Sequence, residues 1–88
     1  MAMTSKRRKA DTALGSLILR NMANAMERER EKRGLSKNEL ARVCEITPPY
    51  YLGILDGSAN PSLQVISRIC NNLNLSLQEL LMGKNPTD

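Results

Sequence analysis

The 88-residue sequence has no Phe, no Trp and no His, and only two Tyr. Its core must therefore be aliphatic and methionine-rich. With no His and no closely spaced pair of Cys, no metal site is expected. No nucleophile stands beside a base, no carboxylate pair shares an apolar pocket, and no glycine-rich phosphate loop occurs. Neither an enzyme nor a bound cofactor is expected. Apolar runs fall short of the roughly 20 residues that cross a bilayer. The basic N-terminus is not followed by the apolar segment of a signal peptide. The expectation is a cytoplasmic protein of a bacterium or phage-infected cell, with no membrane contact. The two cysteines, Cys44 and Cys70, lie inside apolar helical patterns and read as small, reduced core residues.

What remains is enough for one small domain. Apolar residues make up 41% of the chain, and a core of this size leaves room for stabilisation by a second subunit. The net charge of +4 is unevenly spread. Residues 1–33 hold nine Lys and Arg against four Asp and Glu; residues 34–88 hold four against five. A chain with a basic end favours a polyanionic partner.

Residues 1–12 (MAMTSKRRKADT) are polar and aperiodic and read as a disordered arm. Lys6, Arg7, Arg8 and Lys9 form its basic cluster. They read either as an arm on DNA phosphates or minor groove, or as a solvated tail. Residues 13–83 read as the folded domain and 84–88 as a C-terminal tail. A long first helix is predicted from about Ala13 to Arg33. Leu14, Ile18, Met22, Ala25 and Met26 give it an apolar face, which Leu17 and Leu19 widen. Glu27 to Arg33 alternates in sign and reads as a solvated end with local ion pairs. Gly34 closes the helix.

The second helix opens at Ser36, where Ser36 and Glu39 form a capping box. Leu40, Ala41 and Cys44 face inward. Turns of this kind often use Gly where Glu45 stands, because a positive φ costs Gly little; Glu there implies some strain or a slightly different turn. Ile46 packs beneath that turn. The third helix has Thr47 as N-cap and Pro48 and Pro49 in its first turn. Two successive prolines predict a tight or irregular start. Tyr51 and Ile54 point to the core with Leu55 at its edge. Pro48, Pro49, Tyr50 and Gly53 point away, as does Leu52. After a loop at Ser58–Pro61, Ser62 caps a fourth helix whose period is Leu63, Ile66, Ile69, Cys70 and Leu73. Asn74 ends it. Ser76 and Glu79 open a short fifth helix through Leu77, Leu80, Leu81 and Met82, stopped by Gly83 and Pro86.

The landmarks Gly34-Leu35-Ser36, Glu39-Leu40-Ala41, Ile46-Thr47, Ile54, Gly57, Asn60-Pro61-Ser62-Leu63, Ile69, Leu73 and Ser76-Leu77-x-Glu79-Leu80-Leu81 run in unbroken register over more than half the chain. In this the sequence resembles the lambda-repressor/Cro-like helix-turn-helix domains of many phage, plasmid and bacterial repressors. The resemblance implies an all-α, five-helix DNA-binding bundle, here with an extended first helix. It implies that the start of the second helix grips phosphate (Ser36, Lys37, Asn38, with Arg42 adding charge). Base reading would fall to Thr47, Pro48, Pro49, Tyr50, Leu52 and Gly53. Ser58, Asn60 and Ser62 would hold the other side of the backbone.

Three departures mark this chain. Lys37 stands where family members often carry Gln, and suits phosphate or guanine rather than adenine. The outward face of the third helix has almost no amide or guanidinium groups. Glu29 falls where an apolar residue would continue the first helix's stripe. The second departure leaves two readings open: apolar contact with thymine methyls aided by DNA shape, or a face turned to a protein partner.

The function expected is a sequence-specific transcriptional regulator of double-stranded DNA, acting as a repressor on a palindromic operator as a homodimer, with no small-molecule ligand. The dimer surface would be the fifth helix (Leu77, Leu80, Leu81, Met82) or, preferred slightly, Leu14, Leu17 and Ile18 of the first. The alternative is an antitoxin or adaptor of the same fold. Pro48-Pro49-Tyr50-Tyr51 matches the P-P-x-Y pattern of WW-domain ligands, but such ligands are extended and these residues open a helix.

Overall fold

A computed structural model describes the backbone of residues 2–83 and the side chains of residues 13–83. The described residues form five helices and no strand: α1 (Ala2–Arg33), α2 (Lys37–Val43), α3 (Pro48–Asp56), α4 (Leu63–Leu73) and α5 (Leu77–Leu81). The all-α, five-helix architecture is the one expected.

Local chemistry sets most boundaries. Ser36 and Ser76 cap α2 and α5 with complete capping boxes. In each, the Ser hydroxyl accepts from the Glu backbone N–H at 3.0 Å and the Ser N–H donates to the Glu carboxylate at 2.8 Å. Thr47 and Ser62 cap α3 and α4. At the other ends the chain turns through left-handed residues at Gly34 (φ 68), Glu45 (φ 60), Gly57 (φ 85) and Asn74 (φ 57). All four closures share one pattern, in which the next residue's N–H bonds a carbonyl five positions back. Leu35 N–H reaches back to the Arg30 carbonyl at 3.0 Å and Leu75 N–H to the Cys70 carbonyl at 2.9 Å, which satisfies carbonyls that the helix leaves open.

Helix α1 begins at Ala2, not near Ala13. Residues 2–12 lack an apolar period, but they also lack Pro and Gly. Once the packed part of a helix has nucleated, Ala, Met, Lys and Arg extend it at little cost. The expected disordered arm is thus helical in its backbone. The side chains of Lys6, Arg7, Arg8 and Lys9 lie outside the described residues, as do residues 84–88 with Pro86.

The core gathers Met22, Met26, Leu40, Tyr51, Ile54, Ile69, Leu73 and Leu80, each almost fully buried, with Leu19, Ala23, Ala25, Ala41 and Cys44. Helix α1 is the spine of the bundle: it packs along both α3 and α5. The Asn21 amide donates to the Leu81 carbonyl at 2.8 Å and ties the end of α5 to α1. Both cysteines are unpaired, Cys44 buried and Cys70 half-buried. Burial pushes the Cys44 thiol up to about 11. Two residues of the apolar helical patterns lie open to solvent. Leu63 is 82% exposed and Leu77 58% exposed. Each stands directly after its cap, ahead of the residues that close on the core. At the outer end of the α1 stripe, Leu14 and Leu17 are also exposed.

The charged end of α1 is more than a solvated segment. The expected local pairs form: Glu27 with Arg30 at 2.9 Å, and Glu29 with Arg33 at 3.2 Å and Lys32 at 3.8 Å. Arg30 also donates to the Leu35 carbonyl at 2.9 Å, and Arg33 to the Leu73 carbonyl at 3.0 Å. Glu29, at the apolar gap of the stripe, is half-buried because Arg33 covers its charge.

Candidate nucleic-acid interface

Helices α2 and α3 form the pair that the site depends on. Leu40 and Ala41 of α2 and Cys44 at its C-cap are fully buried, as is Tyr51 of α3, with Ile54 at 1% exposure. The small Ala41 lets the helices approach without a void. Between them the Ile46 N–H donates to the Ala41 carbonyl at 3.0 Å, and Ile46 packs against the core from below. A turn closed by its own hydrogen bond over a half-buried Ile46 fixes the angle between the helices.

The start of α3 is regular, not strained by its prolines. A residue before proline prefers an extended backbone, and an N-cap requires one. Thr47 meets both demands at φ −79, ψ 153, and its hydroxyl accepts from Tyr50 N–H at 3.2 Å. Pro48 and Pro49 lack N–H groups that the first turn of a helix would leave without partners anyway.

This geometry presents Thr47, Pro48, Pro49 and Leu52 to solvent, with Leu52 49% exposed. Two expected outward residues are less exposed. Tyr50 is half-buried and packs against the core. Gly53 lies beneath the loop after α3; a Cβ there would stand 3.4 Å from the Ala59 Cβ and the Ser58 Oγ. At Gly53 the cause is the loop 57–61 folding back along α3, a tertiary effect that helical periodicity does not register.

Beside this face lie the expected phosphate residues. Ser36, Lys37, Asn38 and Arg42 are exposed on and around α2, and Ser58, Asn60 and Ser62 are exposed beyond α3. Several of their donors are already engaged. Ser36 N–H serves the Glu39 carboxylate. Ser58 N–H donates to the Gly53 carbonyl at 2.9 Å and to Asp56 Oδ1 at 2.9 Å, while its hydroxyl donates to the same Oδ1 at 2.6 Å. The Ser58 bonds hold the Asp56 carboxyl below its ordinary range. The Ser62 hydroxyl accepts from Val65 N–H.

One cluster lies outside the sequence-based set. Glu27 of α1 accepts from Arg30 with both oxygens, at 2.9 and 3.1 Å, and from the Tyr51 hydroxyl. Lys37 Nζ stands 3.8 Å from Glu27 Oε1. The Arg30 hydrogen bond, more than any other factor, holds the Glu27 carboxyl below its ordinary value. Burial, then the Glu27 hydrogen bond, drives the Tyr51 hydroxyl upward. A signal did exist in the sequence: Tyr51 sits at an interior position, and a buried phenol needs a polar partner. Nothing in the sequence points to α1 as its source.

Among the described residues no group of three or more His, Cys, Asp and Glu side chains is placed to hold a metal ion. No helix among them is long and apolar enough to cross a membrane.

A family model described as helix-turn-helix matches residues 26–80. The crystal structure of the hypothetical transcription factor NHTF from Neisseria is similar, with a TM-score of 0.66 and 26% sequence identity. The match covers 80% of this chain and 78% of that one. No curated protein matches the sequence.

Proposed function

The chain belongs to the lambda-repressor/Cro-like helix-turn-helix family, and from that premise we propose a sequence-specific regulator of transcription that binds double-stranded DNA. The observation that carries the proposal is the exposed Thr47, Pro48, Pro49 and Leu52 surface on a helix held rigidly by a buried neighbour. A rigid helix pair with one exposed outer face suits insertion into a major groove. Lys37 and Arg42 on one side, and Asn60 and Ser62 on the other, would meet the two phosphate strands. Base reading would be largely apolar. Leu52 and the proline rings offer contact to thymine methyls, and the half-buried Tyr50 carries a hydroxyl that would offer a hydrogen bond. Sequence-dependent DNA shape would add to the preference.

The protein would act as a repressor by occluding a promoter. It would bind a palindromic site as a homodimer, with half-sites about one helical turn apart.

Selection of bound duplexes from a random pool tests this reading. We expect the wild type to return one sequence motif. Tyr50→Ala should broaden that motif. Lys37→Ala should keep it, while binding to it weakens and becomes less sensitive to salt. Failure of the wild type to bind any duplex in a salt-sensitive manner would remove the proposal.

A second reading, a protein-binding adaptor or antitoxin, draws support from the same surface. Pro48 and Pro49 carry no side-chain donor or acceptor, and Leu52 is half exposed. Under that reading Leu52→Asp would abolish a protein complex and leave DNA affinity unchanged.

A further inference from the structure

Two of the residues assigned to phosphate, Lys37 and Ser58, already face a carboxylate. Glu27 stands beside Lys37, with Oε1 3.8 Å from Nζ. Asp56 receives both the N–H and the hydroxyl of Ser58. A carboxylate oxygen presents to such donors the same chemistry that a phosphate oxygen would. We infer that Glu27 and Asp56 act as internal competitors for phosphate, so that DNA binds this chain only by displacing them. The inference rests on the DNA-binding reading given above.

The geometry favours displacement over a shared contact. Glu27 is anchored: Arg30 holds both its oxygens, Tyr51 holds one, and Arg30 is itself tied to the Leu35 carbonyl. It is unable to follow Lys37 outward. Lys37, by contrast, has among the described residues only the long 3.8 Å contact, and its side chain is 47% exposed, against 27% for Glu27. A fixed anion therefore faces a movable cation at the edge of the proposed interface. When Lys37 moves to a phosphate it gives up its pairing in the free protein, and binding is weakened by the strength of that pairing. Exposed ion pairs of this kind shift a competing equilibrium about twofold to fivefold. At the other edge, Asp56 and Ser58 are both exposed, so a phosphate has access to the donors that Asp56 now holds.

Neutral isosteres test this, with fluorescence anisotropy on two 20-base-pair duplexes: one selected from a random pool, one of mixed sequence. Glu27→Gln should tighten binding to the selected duplex about twofold to fivefold. Asp56→Asn should do the same. In a Lys37→Gln background the gain from Glu27→Gln should vanish, while the gain from Asp56→Asn should persist. Loss of a merely structural contact would weaken binding or leave it alone, so the rise in affinity is the diagnostic sign. A folded Glu27→Gln that binds no tighter than wild type overturns the inference for Glu27. A gain that survives intact in Lys37→Gln also overturns it, because general charge removal would then suffice. Should Glu27→Gln not fold cooperatively, Asp56→Asn decides, and no gain there overturns the inference. Wild-type binding with unchanged variants refutes the inference alone. No wild-type binding to either duplex refutes the DNA-binding reading with it.

Discussion

Glu45 carries a side chain through a left-handed backbone turn, φ 60, where an L-residue is disfavoured by roughly 1–2 kcal/mol. Among the described residues its carboxylate has only a loose contact with Arg68, at 3.9 Å, and so recovers little of that cost. Glu45→Gly should therefore stabilise the fold by about 0.5–1 kcal/mol in chemical denaturation, after the entropic penalty of glycine is subtracted. A lower midpoint would mean that the Arg68 contact outweighs the backbone term. Tyr51 and Glu27 give two further predictions. Tyr51→Phe keeps the buried ring and removes one hydrogen bond, while Glu27 stays paired with Arg30; the expected loss is about 1 kcal/mol. Glu27 has a lowered pKa in the folded state. Its contribution is therefore fully present above its unfolded value, near pH 4.5, and is lost as the pH falls through the lower folded value. Thermal melts from pH 7 to pH 3 should show a shallower acid decline for Glu27→Gln than for wild type. Identical slopes would assign the acid sensitivity to other carboxylates, such as Glu39 and Asp56.

Helices differ in how much they owe to their own sequence. Helix α5 has five residues, too few to persist without help. It stands on the Ser76–Glu79 capping box, the buried Leu80 and the bond from Asn21 to the Leu81 carbonyl. Ser76→Ala should cost about 1 kcal/mol. It should also accelerate amide exchange in α5 well before α2 and α3 respond; uniform acceleration would indicate that α5 opens only with the whole bundle. Such caps were legible because their signal is local: a hydroxyl residue, a glutamate three positions later, then apolar residues. The same holds for Thr47-Pro48 and for the left-handed Glu45 and Asn74. The start of α1 was illegible, since continuation of an existing helix needs no apolar period. The exposure of Leu63 and Leu77 was hidden because periodicity assigns a face without saying whether a neighbour covers it. At the candidate site, the exposure of Thr47, Pro48, Pro49 and Leu52 follows from helical spacing. The cover over Gly53 depends on a loop several residues away, and the inward lean of Tyr50 on packing against the core. The Glu27–Tyr51 bond joins residues 24 positions apart, beyond any local pattern.

For the molecule as a whole, the long α1 is the element against which α3 and α5 pack. Its inner half is clamped by α3 and α5, while Leu14 (58%) and Leu17 (51%) remain exposed along the outer part. The proposed homodimer would form there. Leu14→Ser with Leu17→Ser should raise the dimer dissociation constant tenfold or more in sedimentation equilibrium. Because both side chains are already exposed, the melting temperature measured at concentrations where wild type is monomeric should change little. If Leu77→Ser with Met82→Ser dissociates the dimer instead, the α5 surface takes that role. Cys44 adds a means of observing the bundle in motion. Its thiol is sealed at the α2–α3 junction and resists ionisation, whereas Cys70 sits partly open to solvent. A thiol reagent should label Cys70 promptly and Cys44 only during the brief intervals when the junction parts. The chain thus carries its own two-channel clock, one sulfur registering time in solvent and the other counting how often the interior breathes.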